Sequence, residues 1–226
     1  MDTQKTKEPQ YQVIVEAATK RGVETFGLRS SESWHEDPKH LVFRLARYKF
    51  VAKMFSGRKH VLEVGCGDAF GTRIVQAEVG KLTGIDFDPV FIDDVNARMV
   101  DRWKFDAKVH DMLDGPVPGE FDGVYALDVL EHIDPAQEKL FLKNSFAPLG
   151  RDGAGIIGLP SLESQPYASP QSKAGHVNCK SAPELKKLMQ EYFHNVFVFS
   201  MNDEVVHTGF HKMANYVFAI GAGRRD

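Results

Sequence analysis

From residue 60 onward, short apolar runs alternate with amphipathic ones, the pattern of an α/β layer fold. The apolar runs predict strands at His60–Val64, Leu82–Asp86, Ala107–His110, Gly123–Leu127, Gly155–Leu159, Val196–Ser200 and Tyr216–Ile220. The amphipathic runs predict helices over Phe70–Glu78, Pro89–Trp103, Pro135–Ala147 and Ala182–Phe193. Ser181 and Glu184 stand three apart at the start of the last helix, as a capping box requires. Crossover segments separate the first five strands, so these are expected to be parallel and buried on both faces. No helical pattern joins the last two, which are expected to pair antiparallel. Residues 11–20 form a short expected helix and 21–37 an irregular connection. Asp37-Pro38 then supplies an N-cap acid and a first-turn proline for a helix that Ser56-Gly57 stops.

The 226 residues suit one domain, read as a helical cap over 1–56 and a core over 57–226. With 28 basic and 31 acidic residues the net charge is −3, no footprint for nucleic acid. No apolar run reaches the ~20 residues of a membrane span, and the polar start lacks a secretory core. Two cysteines, Cys66 and Cys179, make no disulfide framework. These features point to a cytoplasmic protein, monomeric or homodimeric, with neither nucleic acid nor membrane as partner.

The stretch "VLEVGCGDAFG", residues 61–71, ends a buried strand in a loop carrying Gly65, Gly67 and Gly71. In an open parallel sheet that loop lies at the ligand-binding edge. A dinucleotide loop places a third glycine where this chain has Phe70, and Glu63 would repel a diphosphate. The ligand is therefore expected to carry little negative charge. Asp86, at the end of the second strand, suits the hydroxyls of a ribose. Asp111 suits an exocyclic amino group, and the Met112 backbone a ring nitrogen. Phe87 and Met112 offer apolar faces to a purine. Together these describe an adenosine with a cationic appendage, a description that S-adenosylmethionine fits.

Over roughly residues 35–220 the chain resembles class I S-adenosylmethionine-dependent methyltransferases. "VLEVGCGDAFG", "GIDFDP", "HDM" and "FDGVYALDVLEHI" resemble the four motifs of that family in order. One departure is Ala69, where the family pattern has its third glycine. The resemblance implies a three-layer α/β sandwich with a seven-stranded, mostly parallel sheet, the last strand antiparallel, under an N-terminal helical lid. It also implies S-adenosylmethionine held by Glu63, Gly65, Cys66, Gly67, Asp86, Phe87, Asp111 and Met112. Leu127 and Asp128 match positions lining the methionine end, and Arg47 is a candidate partner for the methionine carboxylate.

Methyl transfer needs an aligned acceptor and, for a hydroxyl or ammonium, a base. His176, in the long segment from Pro160 to Lys180, is the first candidate. His132, four residues after Asp128, and His207, between the last two strands, follow. The histidines and acids show no compact metal-ligand spacing, so no metal is expected. The leading expectation is O-methylation of a small polar acceptor such as a sugar or a glycan or secondary-metabolite precursor. The alternatives are N-methylation of a small amine and a non-catalytic cofactor-binding scaffold.

Overall fold

The computed structural model describes residues 5–225. Eight strands form one sheet: β1 (His60–Val64), β2 (Lys81–Asp86), β3 (Asp106–Val109), β4 (Phe121–Leu127), β5 (Leu149–Pro160), β6 (Phe193–Asn202), β7 (Val205–His207) and β8 (Tyr216–Arg224). Their order is β3-β2-β1-β4-β5-β8-β6-β7. The first five are mutually parallel, and β8 inserts antiparallel between β5 and β6. The seven expected strands are all present. The eighth, β7, is three residues long and pairs antiparallel with the end of β6, too short to leave an alternation in the sequence.

Helices α1 (Gln12–Arg21), α2 (Leu28–Glu36), α3 (Pro38–Met54), α4 (Thr72–Gln76), α5 (Pro89–Arg98), α6 (Glu138–Phe146), α7 (Pro170–Gly175) and α8 (Ala182–Met189) complete the fold. Asp37 caps α3 by accepting from the Lys39 amide at 3.2 Å, and the capping box of α8 forms. One apolar cluster joins Leu62, Val124 and Ile157 of the sheet to Phe141, Phe146, Leu185 and Met189 of α6 and α8. A second joins Val61, Tyr125 and Ile156 to Tyr48, Val51 and Ala52 of α3, to Phe55 just after it, and to Val75 of α4. The two clusters make the three layers.

Two N-terminal expectations change. The stretch taken as irregular contains α2, whose anchor is tertiary: the Ser30 amide donates to Asp68 Oδ2 at 2.6 Å across 38 residues. And α3 is a core helix on its buried face, while the cavity at the carboxyl edge of the sheet is lined from the N-terminal layer by Arg29 of α2. Trp34 is 53% exposed and packs at a tilt against Phe26, with ring centroids 5.7 Å apart. The segment 160–180 is not structureless: it holds a 3-10 turn at Leu162–Tyr167 and then α7.

Candidate active site

A cavity of about 450 Å³ opens at the carboxyl ends of β1, β2, β3 and β4, within the size range of small-molecule sites. Its floor is the loop after β1. Gly65 has φ +74 and a methyl there would overlap Val129 Cγ2, so both its conformation and its packing require glycine. Gly67 has φ +53, and a Cβ on it would meet nothing within 4 Å, because it would enter open space at the cavity wall. This bare backbone is the feature a closely seated ligand needs. Ala69, at the departure from the family pattern, keeps the left-handed backbone of the expected glycine at φ +51. Its methyl packs with Cys66, Ile92 and Val95.

Asp86 sits at the rim, 8% exposed. Its Oδ2 accepts from the Gly67 amide at 2.8 Å and its Oδ1 from the Asp88 amide at 3.0 Å. The carboxylate thereby fixes the loop and still offers free lone pairs to the cavity. Asp111 accepts from the Leu113 amide at 2.8 Å through Oδ1, and it lines the same wall as Phe87, Phe91 and Met112. The Met112 carbonyl is committed to the Asn144 side chain at 2.6 Å. At the opposite end stand Arg29, Asp128, Val129 and His132.

Three expected cofactor contacts face elsewhere. Glu63 is 1% exposed and lies on the far face of β1. Thr72 Oγ1 donates to it at 2.7 Å, and the hydroxyls of Tyr125 and Tyr48 also stabilise its charge. Burial outweighs them and pushes its carboxyl up to about 7. Cys66 turns its thiol into the α5 cluster, where burial raises its pKa, so its share in the loop is backbone. Arg47 is neither solvated nor free: its Nη1 reaches both carboxylate oxygens of Asp128 at 2.7 Å. Its guanidinium also lies 3.9 Å from the Tyr216 ring centroid. Burial opposes the charge on Asp128, but Arg47, with Arg29 behind it, holds the carboxyl below its usual range. The arginine that lines the cavity is therefore Arg29, missed because the sequence around it has no apolar period.

The three candidate bases separate. His207 closes the β6–β7 hairpin, with Nε2 2.8 Å from Asn202 Oδ1 and Nδ1 accepting from the Gly209 amide at 3.0 Å. Both ring nitrogens are engaged and the residue is not on the cavity wall, so His207 is not part of this site. His132 and His176 meet, with ring centroids 5.2 Å apart. Burial, followed by the neighbouring His132, lowers the pKa of His176. Beside them lies Glu131, which nothing in the apolar run "LDVLEHI" marks as a site residue. Glu131 is fully buried, and burial followed by the Asp128 carboxylate pushes its carboxyl well above the usual range. Donor atoms of Glu131, His132 and His176 all lie within 4.8 Å of one another. No compact ligand motif in the sequence joins these three; the amides of residues 177 and 178 bring them together by bonding back to Glu131.

Comparison with known proteins agrees with this geometry. Residues 61–153 match the model of a methyltransferase domain family. A protein of Mycolicibacterium smegmatis described as a probable S-adenosylmethionine-dependent methyltransferase is 27% identical over 146 residues. The match takes in 63% of this chain and 54% of that one, so the chain spans about half the length of the curated relative. The N-methyltransferase NodS of Bradyrhizobium japonicum WM9, solved with S-adenosyl-L-homocysteine, superposes with a TM-score of 0.63 at 17% identity, over 84% of this chain and 90% of NodS. The plantazolicin methyltransferase BpumL, also solved with that product, gives 0.64 at 12% identity, over 86% and 89%. Residues 61–153 are thus similar to a methyltransferase domain, and the fold is that of solved methyltransferases bound to S-adenosyl-L-homocysteine, the demethylated form of S-adenosylmethionine. The cavity fits that group, since Gly67 leaves room for it and Asp86 and Asp111 face it as acceptors.

Proposed function

We propose that the chain is an S-adenosylmethionine-dependent methyltransferase that methylates a hydroxyl of a small polar molecule, such as a sugar or a glycan or secondary-metabolite precursor. The observation that carries the reading is the two-ended cavity, with nucleoside acceptors at one end and a Glu131–His132–His176 cluster beside the other. When bound, the cofactor supplies a methyl group on a sulfonium, open to in-line displacement by the acceptor. Asp86 would hold the ribose hydroxyls, Asp111 the adenine amino group, and the Gly67 backbone lets the ligand approach. Arg29, which makes no ion pair among the described residues, would hold the methionine carboxylate in the place first assigned to Arg47. The Nε2 atoms of His132 and His176 are the groups able to take the acceptor's proton.

N-methylation of a small amine is the second reading, favoured by the N-methyltransferase NodS among the structural neighbours. Both are tested by incubating the purified chain with S-adenosylmethionine and a panel of nucleotide sugars, phenols and amines. The expected result is formation of S-adenosylhomocysteine together with a product heavier by one methylene. Cofactor binding without product formation across the panel would favour a non-catalytic scaffold instead.

A further inference from the structure

Both carboxylate oxygens of Glu131 are buried with no hydrogen-bond partner among the described residues. A native protein rarely leaves an acid in that state, and each instance calls for a specific cause. The two histidines beside it are arranged in a way that supplies one. His132 Nδ1 lies 2.9 Å from the Gly175 carbonyl, which can only accept, so Nδ1 carries the proton and Nε2 keeps its lone pair. That Nε2 is 3.9 Å from Glu131 Oε1. His176 Nδ1 lies 2.9 Å from Gln165 Oε1. The Gln165 amide nitrogen is spent on the Ser161 carbonyl at 3.0 Å, which fixes the amide's orientation and makes Oε1 the acceptor. His176 is therefore also an Nδ1–H tautomer with a free Nε2. The amides of Val177 and Asn178 donate to the Glu131 carbonyl at 2.8 and 3.0 Å, locking the loop that carries His176 onto the turn that carries Glu131 and His132.

We propose that Glu131, His132 and His176 form a divalent transition-metal site at the acceptor end of the cavity. Each histidine donates its Nδ1–H to a carbonyl oxygen behind it, the arrangement by which metal-binding imidazoles are oriented. Two imidazoles and one carboxylate select zinc, iron, cobalt or manganese over the harder magnesium and calcium. Ligand atoms around such an ion stand about 3.4 Å apart, so the triad contracts on binding. The exposed His132 ring is the part with room to move. Three protein ligands leave coordination positions open, as in catalytic rather than structural sites. His132 lines the cavity, which places the open side at its end. Resting on the methyltransferase reading, an ion held there would occupy the Nε2 atoms otherwise free as bases, and its role would be to hold an acceptor hydroxyl and ease the loss of its proton to solvent.

The test is titration of the chelator-treated full chain with cobalt(II) chloride, followed by visible absorption and equilibrium dialysis. One ion per chain is expected, with a visible band of low coordination number. His132→Ala changes an exposed ring and should keep the wild-type melting temperature while weakening cobalt binding at least tenfold. Gln165→Leu, which removes only the partner behind His176, should weaken it by about 10–100-fold, the usual worth of a group behind a ligand. Glu131→Gln should lose binding, and if it does not fold the other two variants still decide. No uptake by the wild type, or uptake unchanged in His132→Ala, would overturn the site. S-Adenosylhomocysteine titrated in parallel keeps the two claims apart. Its binding without cobalt uptake refutes the metal site alone, and cobalt uptake without it supports the site while refuting the methyltransferase reading.

Discussion

Arg47 of α3 and Asp128, just beyond β4, form a buried ion pair in which one guanidinium nitrogen touches both carboxylate oxygens at 2.7 Å. Asp128 pays for its position with a left-handed backbone at φ +57, and its amide donates to the Gly158 carbonyl at 3.0 Å. The pair ties the N-terminal helical layer to the cavity wall. Arg47→Met leaves a buried, uncompensated carboxylate and is expected to lower unfolding stability by about 3–5 kcal/mol. Adding Asp128→Asn should recover a large part of that loss, because the charge goes with its partner. Urea denaturation of the two single variants and the double variant measures the coupling, and simple additivity would contradict it.

The two glycines of the loop should fail differently. Gly65→Ala collides with Val129 and is expected to cost roughly 1–3 kcal/mol of stability from overpacking, in addition to backbone strain. At Gly67 an added Cβ meets nothing within 4 Å, so Gly67→Val is expected to cost mainly its backbone strain, while abolishing S-adenosylhomocysteine binding. Thermal melts paired with calorimetric titration separate the effects. A Gly67→Val protein that binds normally would show that the loop is not the cradle.

Much of this architecture is legible in the chain. Buried parallel strands read as continuous apolar runs, and Asp37-Pro38 and Ser181 mark helix starts whose caps form as expected. What the sequence hid depends on contacts distant along it. Helix α2 buries only Ser30 and is held by Asp68, so no local period announces it or its Arg29. Glu63 and Cys66 sit within the right motif, but the strand pleat and the turn after it aim their side chains away from the cavity. His132 and His176 are brought together by backbone bonds from residues 177 and 178 to Glu131, a register no spacing rule contains.

The ends of the cavity make separable contributions to affinity. Asp86→Ala and Arg29→Ala are each expected to weaken S-adenosylhomocysteine binding by about 1.5–3 kcal/mol, the range for hydrogen bonds to charged groups. Asp86→Ala should also lower the melting temperature, since it releases the Gly67 amide. Adenosine should lose affinity for Asp86→Ala but not for Arg29→Ala, because it lacks the amino-acid end. Equal losses for both ligands in Arg29→Ala would remove Arg29 from the carboxylate site.

Glu63 gives the fold a pH dependence of known sign. Its carboxyl is at about 7 in the folded chain against an ordinary 4.5, so between these values the native state keeps a proton that the unfolded chain has lost. Stability attributable to this group is complete below the unfolded pKa, falls as pH rises through that window and levels off above it. The loss amounts to about 3 kcal/mol at 1.36 kcal/mol per unit. Glu63→Gln removes it, so the variant should match wild type near pH 4.5 and exceed it near pH 8. A gap between the two denaturation curves that does not widen with pH would contradict the buried, proton-holding carboxyl.

We propose the cavity floored by Gly67 and rimmed by Asp86 as the S-adenosylmethionine site. Calorimetric titration of the full chain with S-adenosylhomocysteine tests it most directly. The expected result is one site per chain, lost in Gly67→Val and weakened in Asp86→Ala while both variants remain folded. A folded wild-type chain that takes up no S-adenosylhomocysteine, or binds it equally well in Gly67→Val, would contradict the assignment.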